Sequence, residues 1–260
     1  MVKVGIIGGS GVYDPEILQD TKQIKVHTPF GATSDLVTVG TLKGVEVVFL
    51  PRHGHGHKIN PTNVPFRANI WAMKQLGVTH IFAPSAVGSL REEVKPGDLV
   101  FTDQFIDRTI HRKNSFFEGN QVCHISIADP CCNNLKRLLV DSANSLGITF
   151  HEQGTCVVVE GPRFSTRAES NVFRSWGADI IGMTMCPEAI LAREAEICYQ
   201  TIAMVTDYDV WKVENEVTLE EVLKRMKDNV KNVKRLLEVA IPKVKDEDCA
   251  CRHALQGALI

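Results

Sequence analysis

No stretch of this chain approaches the ~20 consecutive apolar residues that a membrane-spanning helix needs. A surplus of one charge is also missing: 29 Lys and Arg face 31 Asp and Glu, a formal net charge of -2. That balance removes the long-range attraction that would draw the chain to nucleic acid or an acidic membrane surface. The one basic patch, between Lys224 and Lys245, alternates with apolar residues and reads as the solvated face of a helix. There is no Cys-x-x-Cys pair, which argues against a zinc ribbon. No Gly-Lys-Ser/Thr follows a glycine loop, so a Walker phosphate loop is out. Gly9-x-Gly11 is followed by Asp14 where a dinucleotide fingerprint needs its third glycine. Internal repeats, low-complexity linkers and composition breaks are all lacking, so residues 1–260 read as one domain. The N-terminus runs directly into a strand-like segment instead of a cleavable signal, which makes the cytoplasm the expected location.

What is present is enough for a large core: 44% of the 260 residues are hydrophobic, and a chain of this length buries about 75% of its unfolded surface. Short β-branched runs alternate with amphipathic stretches, the pattern of an α/β fold. Strands are predicted at Val4–Ile7, Val45–Leu50, His80–Ala83, Leu99–Thr102, Cys156–Glu160, Ile180–Gly182 and Ile202–Val205. Asp129-Pro130 suits a helix start and Gly147 its stop. Thr218 and Glu221 have capping-box spacing ahead of a long helical pattern.

Five polar or glycine-rich segments each follow a predicted strand: Gly8 to Gly11, Pro51 to His57, Ser85 to Ser89, Glu160 to Ser165, and Thr206 to Asp209. Ligands of open α/β sheets gather at the carboxyl ends of strands, so these segments point to a composite site. Taken alone, the first is an ordinary tight turn; with Ser10 and its backbone amides it can also cradle an anion. Arg52 beside His53 offers a rigid fork of donors and a second donor, which suits an oxyanion. The alternating His53, His55 and His57 leave a metal-dependent hydrolase open as an alternative. Asp207 and Asp209 close an apolar strand, where desolvation can turn a carboxyl into an acid; a metal site or a turn cap are the other readings. Glu160 and Glu188 raise the same question, with Glu188 placed by Pro187 in a helical first turn.

The eight cysteines are at 123, 131, 132, 156, 186, 198, 249 and 251. Buried reduced thiols are the ordinary reading. Cys249-Ala-Cys251 beside a polar tail is an unusual place for core residues, and intracellular disulfides occur in hyperthermophiles. Disulfides therefore stay open, with Cys249 and Cys251 the first candidates.

One ordered set of motifs is more specific than any of its parts. It comprises Gly5-Ile6-Ile7-Gly8-Gly9-Ser10-Gly11, Pro29-Phe30-Gly31, Arg52-His53-Gly54, Ala68-Asn69-Ile70-Trp71-Ala72 and Gly88-Ser89-Leu90-Arg91. Asp103 to Thr109, Glu160 to Ser165 and Thr206 to Asp209 complete it. Over about residues 4 to 240 the set resembles the 5'-methylthioadenosine phosphorylases, within the trimer-forming purine nucleoside phosphorylases. The resemblance implies a single α/β domain whose mixed sheet closes into a distorted barrel flanked by helices. It implies phosphorolysis of 5'-methylthioadenosine to adenine and 5-methylthioribose 1-phosphate, with phosphate as co-substrate and neither metal nor organic cofactor. Phosphate contacts are implied for Ser10, Arg52, His53, Ser85, Ala86 and Thr184. Met183 and Thr184 would face the ribose, and Phe164, Ser165, Asp207 and Asp209 the base, with Asp207 as the acid at purine N7. Leu219 and Val222, with His124 from a neighbouring subunit, would line the 5'-pocket. A homotrimer or a hexamer of two trimers is implied, and the Cys-x-Cys tail is similar to that of archaeal members carrying intrasubunit disulfides. Two acidic acceptors favour a 6-amino over a 6-oxo purine, because the latter would present an acceptor to them. A broader phosphorylase acting on adenosine, inosine and guanosine remains the alternative within the class.

Overall fold

The computed structural model describes residues 2–9, 12, 17–212 and 219–260, with the side chains of 219–224 outside the description. In chain order the elements are β1 (Lys3–Gly8), β2 (Gln19–Ile24), β3 (His27–Thr28), β4 (Gly31–Ala32), β5 (Val37–Leu42) and β6 (Val45–Pro51). Then follow α1 (Phe66–Gln75), β7 (His80–Ser89), β8 (Leu99–Val100), β9 (Gln104–Arg108), α2 (Asn133–Leu146), β10 (Phe150–His151) and β11 (Thr155–Val159). The last are α3 (Arg167–Ser175), β12 (Ile180–Gly182), α4 (Met185–Glu194), β13 (Cys198–Asp207) and α5 (Leu219–Ala240).

Eleven strands join in one mixed sheet, ordered β10-β8-β13-β7-β1-β6-β5-β2, with β12 branching from β7 and leading to β11 and β9. The branch ends at β9, which follows β8 in the chain. Strand residues alternate between the two faces, as the period of two demands. Ile7, Val48, Leu50, Ile81 and Ala83 pack into a cluster with Phe66 and Ile70 of α1 and Ala189 and Leu191 of α4. Ile6, Val47, Phe49 and Phe82 pack on the other side with Leu135 and Leu139 of α2 and Val233 and Leu237 of α5. Both faces are thus covered, as parallel central strands require.

Several boundaries differ from the sequence reading. Strand β7 continues from Ala83 to Ser89, so the segment Ser85 to Ser89, read as a loop, is strand. Pro84 and the small residues after it looked like breakers; parallel pairing to β13 on one side and antiparallel pairing of Gly88 and Ser89 to β12 on the other hold the segment extended. Strand β13 likewise runs on through Thr206 and Asp207. Helix α2 begins at Asn133 with Cys132 at its N-cap, not at Asp129-Pro130, and it does end at Gly147, which adopts the left-handed conformation at φ 64°. Strands β2, β5 and β9 had no sequence expectation. The capping box expected at Thr218 and Glu221 lies outside the described residues.

Candidate active site

Three strands and one helix meet around Arg52. Its backbone N–H donates to the Gly8 carbonyl at the end of β1 (2.8 Å). Its guanidinium donates to Glu188 of α4 twice, Nε to Oε2 at 2.6 Å and Nη2 to Oε1 at 2.7 Å. The same group reaches the carbonyls of Pro84 in β7 and Ile7 in β1. Tyr199 donates its hydroxyl to Glu188 Oε1 (3.0 Å), and burial pushes the Tyr199 proton well above its ordinary range, so it stays a donor. A paired charge buried this deeply is rigid, and removing one partner strands the other. Glu188 is thus a first-turn residue, as its place after Pro187 predicted, but it works as the anchor of Arg52. The Gly8-Gly9 turn closes over the guanidinium: a Cβ on Gly9 would stand 2.4 Å from the Pro84 carbonyl and 2.7 Å from Arg52 Nη1. Only glycine allows that approach.

His53 follows on the same turn and is 3% exposed. Burial, then the Arg52 charge, lowers it to about 3, so the ring is neutral at physiological pH. Its Nδ1 lies 2.8 Å from the Ile59 carbonyl and must carry the proton, which leaves Nε2 as the acceptor. His57 stacks on it at 4.3 Å. The three alternating histidines form no converging metal set among the described residues; the one group there with such geometry is made of cysteines. The hydrolase alternative has no support in this geometry.

Ser85 and Ala86 lie where β7 passes this turn. Ser85 Oγ is 3.3 Å from Thr184 Oγ1, so two of the expected phosphate hydroxyls are adjacent. Thr184 occupies the N-cap position of α4 without a side-chain cap bond, and it is buried. Arg112, which the sequence reading missed, holds this corner together. It donates to the carbonyls of Met183, Cys186 and Glu160, and its Nε bonds Glu160 Oε1 (3.1 Å). Burial alone would raise Glu160, but the amides of Ile110 and His111 and the Arg112 charge outweigh it and hold the carboxyl at about 2. Glu160 is therefore a fixed anion and no acid. Nothing local marks Arg112, whose partners are 48 to 74 residues away.

Asp207 and Asp209 stand at the far end of the same β7–β13 pair. Burial raises both carboxyls above the ordinary range, and for Asp207 the neighbouring Asp209 charge adds to it. Asp207 Oδ1 accepts from the Asp209 amide (2.8 Å), and Oδ2 lies 2.7 Å from the Thr206 hydroxyl. That hydroxyl also reaches the Val87 carbonyl at 3.2 Å. The Thr206 hydroxyl and the Asp209 amide both favour the charged form of Asp207, and burial outweighs them. Gly88 lies directly beneath, with a Cβ there 3.0 Å from Asp207 Oδ1 and 3.3 Å from Asp209 Cβ.

Asp209 sits at φ 50°, a strained conformation for a residue with a side chain. Its Oδ2 is buried without a hydrogen-bond partner, as is Ser165 Oγ. Ser170 favours the Asp209 carboxylate electrostatically, without hydrogen-bond geometry. Trp211 fixes this turn by donating to the Ser89 carbonyl (2.8 Å), while Arg174 lies 3.5 Å above its ring. Phe164 is half exposed beside Ser165. Met183 packs at Gly161, where a Cβ would be 2.5 Å from its sulfur.

Four further expected positions lie either outside the described residues or away from this corner. Ser10 lies outside the described residues, as do the side chains of Leu219 and Val222. His124 is exposed and belongs to a different corner, its amide donating to the Ala258 carbonyl.

Comparison with known proteins agrees with this geometry. The model of the phosphorylase superfamily matches residues 3–242. An S-methyl-5'-thioadenosine phosphorylase of Thermofilum pendens is 55% identical over 260 residues, covering 100% of this chain and 99% of that one. Its counterpart from Saccharolobus solfataricus is 52% identical over 262 residues, covering 99% and 97%. Among solved structures, methylthioadenosine phosphorylase from Schistosoma mansoni in complex with adenine has a TM-score of 0.95 at 39% identity, with 99% of each chain covered. With this coverage at both levels, the chain belongs to the phosphorylase superfamily and, within it, to the 5'-methylthioadenosine phosphorylase family.

Proposed function

We propose that this chain cleaves 5'-methylthioadenosine with inorganic phosphate, releasing adenine and 5-methylthioribose 1-phosphate. The observation that carries the reading is the pairing of two unlike centres on one strand. At Ser85 of β7 stands an anion cradle built on Arg52; at Gly88 stands a buried carboxyl, Asp207, biased toward its protonated form.

The chemistry follows from that arrangement. The glycosidic bond breaks through an oxocarbenium-like state, so an anion must wait beneath C1' while a proton reaches the leaving base. Arg52, the Ser85 and Thr184 hydroxyls and the Ala86 amide hold phosphate, which removes the entropic part of the barrier. His53, neutral with Nε2 as its acceptor, accepts a hydrogen bond from phosphate or a sugar hydroxyl. The held phosphate charge then stabilises the ribosyl cation as it forms. Asp207 donates to N7, a step worth about 10²–10⁴-fold. Asp209 Oδ2 and Ser165 Oγ meet the polar edge of adenine, Phe164 covers its face, and Met183 packs on the ribose. The step uses phosphate as co-substrate and no metal or organic cofactor.

Ser10 would complete the phosphate cradle, and Leu219, Val222 and a neighbour's His124 the methylthio pocket. That last contact makes the working form a homo-oligomer, a trimer or a pair of trimers. No helix among the described residues is long and apolar enough to cross a membrane, and we place the reaction in the cytoplasm with small molecules as its only other partners.

The test is adenine release from 5'-methylthioadenosine with and without phosphate, beside adenosine and inosine. Phosphate-dependent release fastest on methylthioadenosine is expected. Equal rates on inosine would overturn the base specificity, and release without phosphate would overturn the reaction.

A further inference from the structure

Among its described residues, the buried face of α5 is apolar except at one point. Met226, Val233, Leu236, Leu237 and Ala240 are buried along it, and Asn229, at helical spacing between Met226 and Val233, is 1% exposed. Its Nδ2 donates to the Val205 carbonyl of β13 (2.9 Å). Its Oδ1 is buried and meets no donor among the described residues. The carbonyl does not depend on this bond, because the Gly97 amide also donates to it at 2.9 Å. For stability the arrangement is poor. It adds a second donor to a carbonyl already served and leaves a buried acceptor without one, a cost that an apolar side chain of similar size would avoid.

What distinguishes the position is the place of Val205 in the sheet. Val205 pairs with Val87 of β7 and the next pair is Asp207 with Gly88, so Thr206 forms a bulge. A bulge disrupts the ladder locally, and the peptide in front of it depends on neighbours outside the strand pair for its tilt. Here that peptide is held from three directions. Asn229 reaches it from α5, the Val205 amide donates to the Asp98 carbonyl (3.0 Å) beside the Gly97 bond, and the Thr206 hydroxyl reaches Val87 in β7 (3.2 Å). Asp207 follows at once.

We propose that Asn229 is a positioning residue for the acid: by holding the Val205 carbonyl from α5, it sets the tilt of the bulge and so the aim of the Asp207 carboxyl. This role presupposes the phosphorolysis proposed above, in which Asp207 donates to N7. An amide suits the task, since the carbonyl acceptor admits only the orientation that turns Nδ2 toward it. The same helix carries Leu219 and Val222. One bond thus ties the element expected at the 5'-group to the strand that bears the acid.

The experiment measures phosphate-dependent adenine release from 5'-methylthioadenosine by the full chain, by Asn229→Leu, by Asp207→Asn and by the double variant. Asn229→Leu fills a similar space without the donor. Its kcat should fall about 10–10²-fold, the loss expected when a reacting group is misplaced by up to about 1 Å. KM for phosphate should not change, and Tm should stay within about 5 °C of the unaltered chain. In the Asp207→Asn background the same substitution should cost nothing further, because no acid is left to aim. Full kcat in Asn229→Leu overturns the proposal. So does an undiminished loss in the Asp207→Asn background, which would mean that Asn229 acts through another group. Should Asn229→Leu fail to fold, Asn229→Met, with a side chain that adapts to its surroundings, is read by the same criteria. Failure of both to fold would make Asn229 a structural residue and overturn its positioning role. Absence of phosphate-dependent release by the unaltered chain would overturn the reaction and this role together, whereas normal release with an indifferent Asn229→Leu would overturn this role alone.

Discussion

The Arg52 corner and the Asp207–Asp209 corner of the candidate site are built on opposite plans. Around Arg52 the protein supplies counter-charge of its own: Glu188 takes the guanidinium in two bonds, Tyr199 steadies Glu188, and carbonyls of β1 and β7 fix the remaining direction. At Asp209 and Ser165 buried polar atoms are left without protein partners, and the backbone is strained. The first plan suits an anion that is the same for every turnover, because a rigid donor array gives up no freedom when phosphate arrives. The second suits discrimination. Unpaired acceptors are costly until a ligand with matching donors binds, so a mismatched base gains little there.

The comparison is broken hardest at Arg52. Arg52→Met should strand the Glu188 carboxylate and cost about 3–5 kcal/mol of stability. It should also remove saturation by phosphate. Urea unfolding and phosphate-dependent kinetics would show both losses; intact stability would mean that the pair does not anchor the fold. Asp207→Asn should lower kcat on 5'-methylthioadenosine by about 10²–10⁴-fold with little change in stability. Inosine should suffer less, since an amide can donate to a 6-oxo group. The raised Asp207 carboxyl also has a sign: activity that needs its proton falls as pH rises through the folded-state value. The basic limb of the pH–rate profile should therefore disappear in the asparagine variant, and a limb that persists would assign it elsewhere.

His53 sharpens the contrast from the side of stability. Its folded value of about 3 lies below the ordinary 6.5, so the unfolded chain binds the extra proton first. The contribution is complete above pH 6.5 and is lost as pH falls toward about 3. Urea midpoints measured from pH 7 to pH 4 should drop more steeply for the native chain than for His53→Asn. The smallest effect belongs to Phe164→Ala. Loss of a half-exposed ring from the base face should cost about 1–3 kcal/mol of stacking, read as a higher KM at unchanged kcat. A fall in kcat instead would place Phe164 among the groups that align the base.

Much of this site was legible as motifs because its residues sit on short turns with local causes. Gly9 is demanded by the Pro84 carbonyl and Gly88 by the side chains of Asp207, Ile181 and Asp209, so glycine at those positions is visible in the chain. Arg52, His53, Asp207 and Asp209 were singled out from such segments too, and the fold places Arg52 at Pro84 and Asp207 at Gly88. Glu188 was placed correctly in a helical first turn, but its pairing with Arg52 was not legible, since that partner is 136 residues off and only the fold brings α4 to it. Arg112 carried no signal at all. The true extent of β7 was hidden for a related reason: Pro84, Ser85 and Gly88 are poor strand formers, and cross-strand neighbours override their preference. The group of Cys132, Cys198, Cys249 and Cys251 shows the same limit, with Cys249 and Cys251 separated by one residue and the other two brought in only by tertiary structure.

One irregularity in β13 has a wider consequence. Val205 pairs with Val87 and Asp207 with Gly88, so Thr206 is one residue more than β7 provides. In a regular ladder the alternation of faces would tie the aim of Asp207 to the count of residues from Ser85. The surplus residue uncouples the two, acting as a vernier between the ends of a shared rod. Strand rise is coarse, about 3.3 Å per step, whereas proton transfer tolerates errors of a few tenths of an ångström. A single added residue lets one rigid framework keep its anion site unchanged while the direction of its acid is set separately.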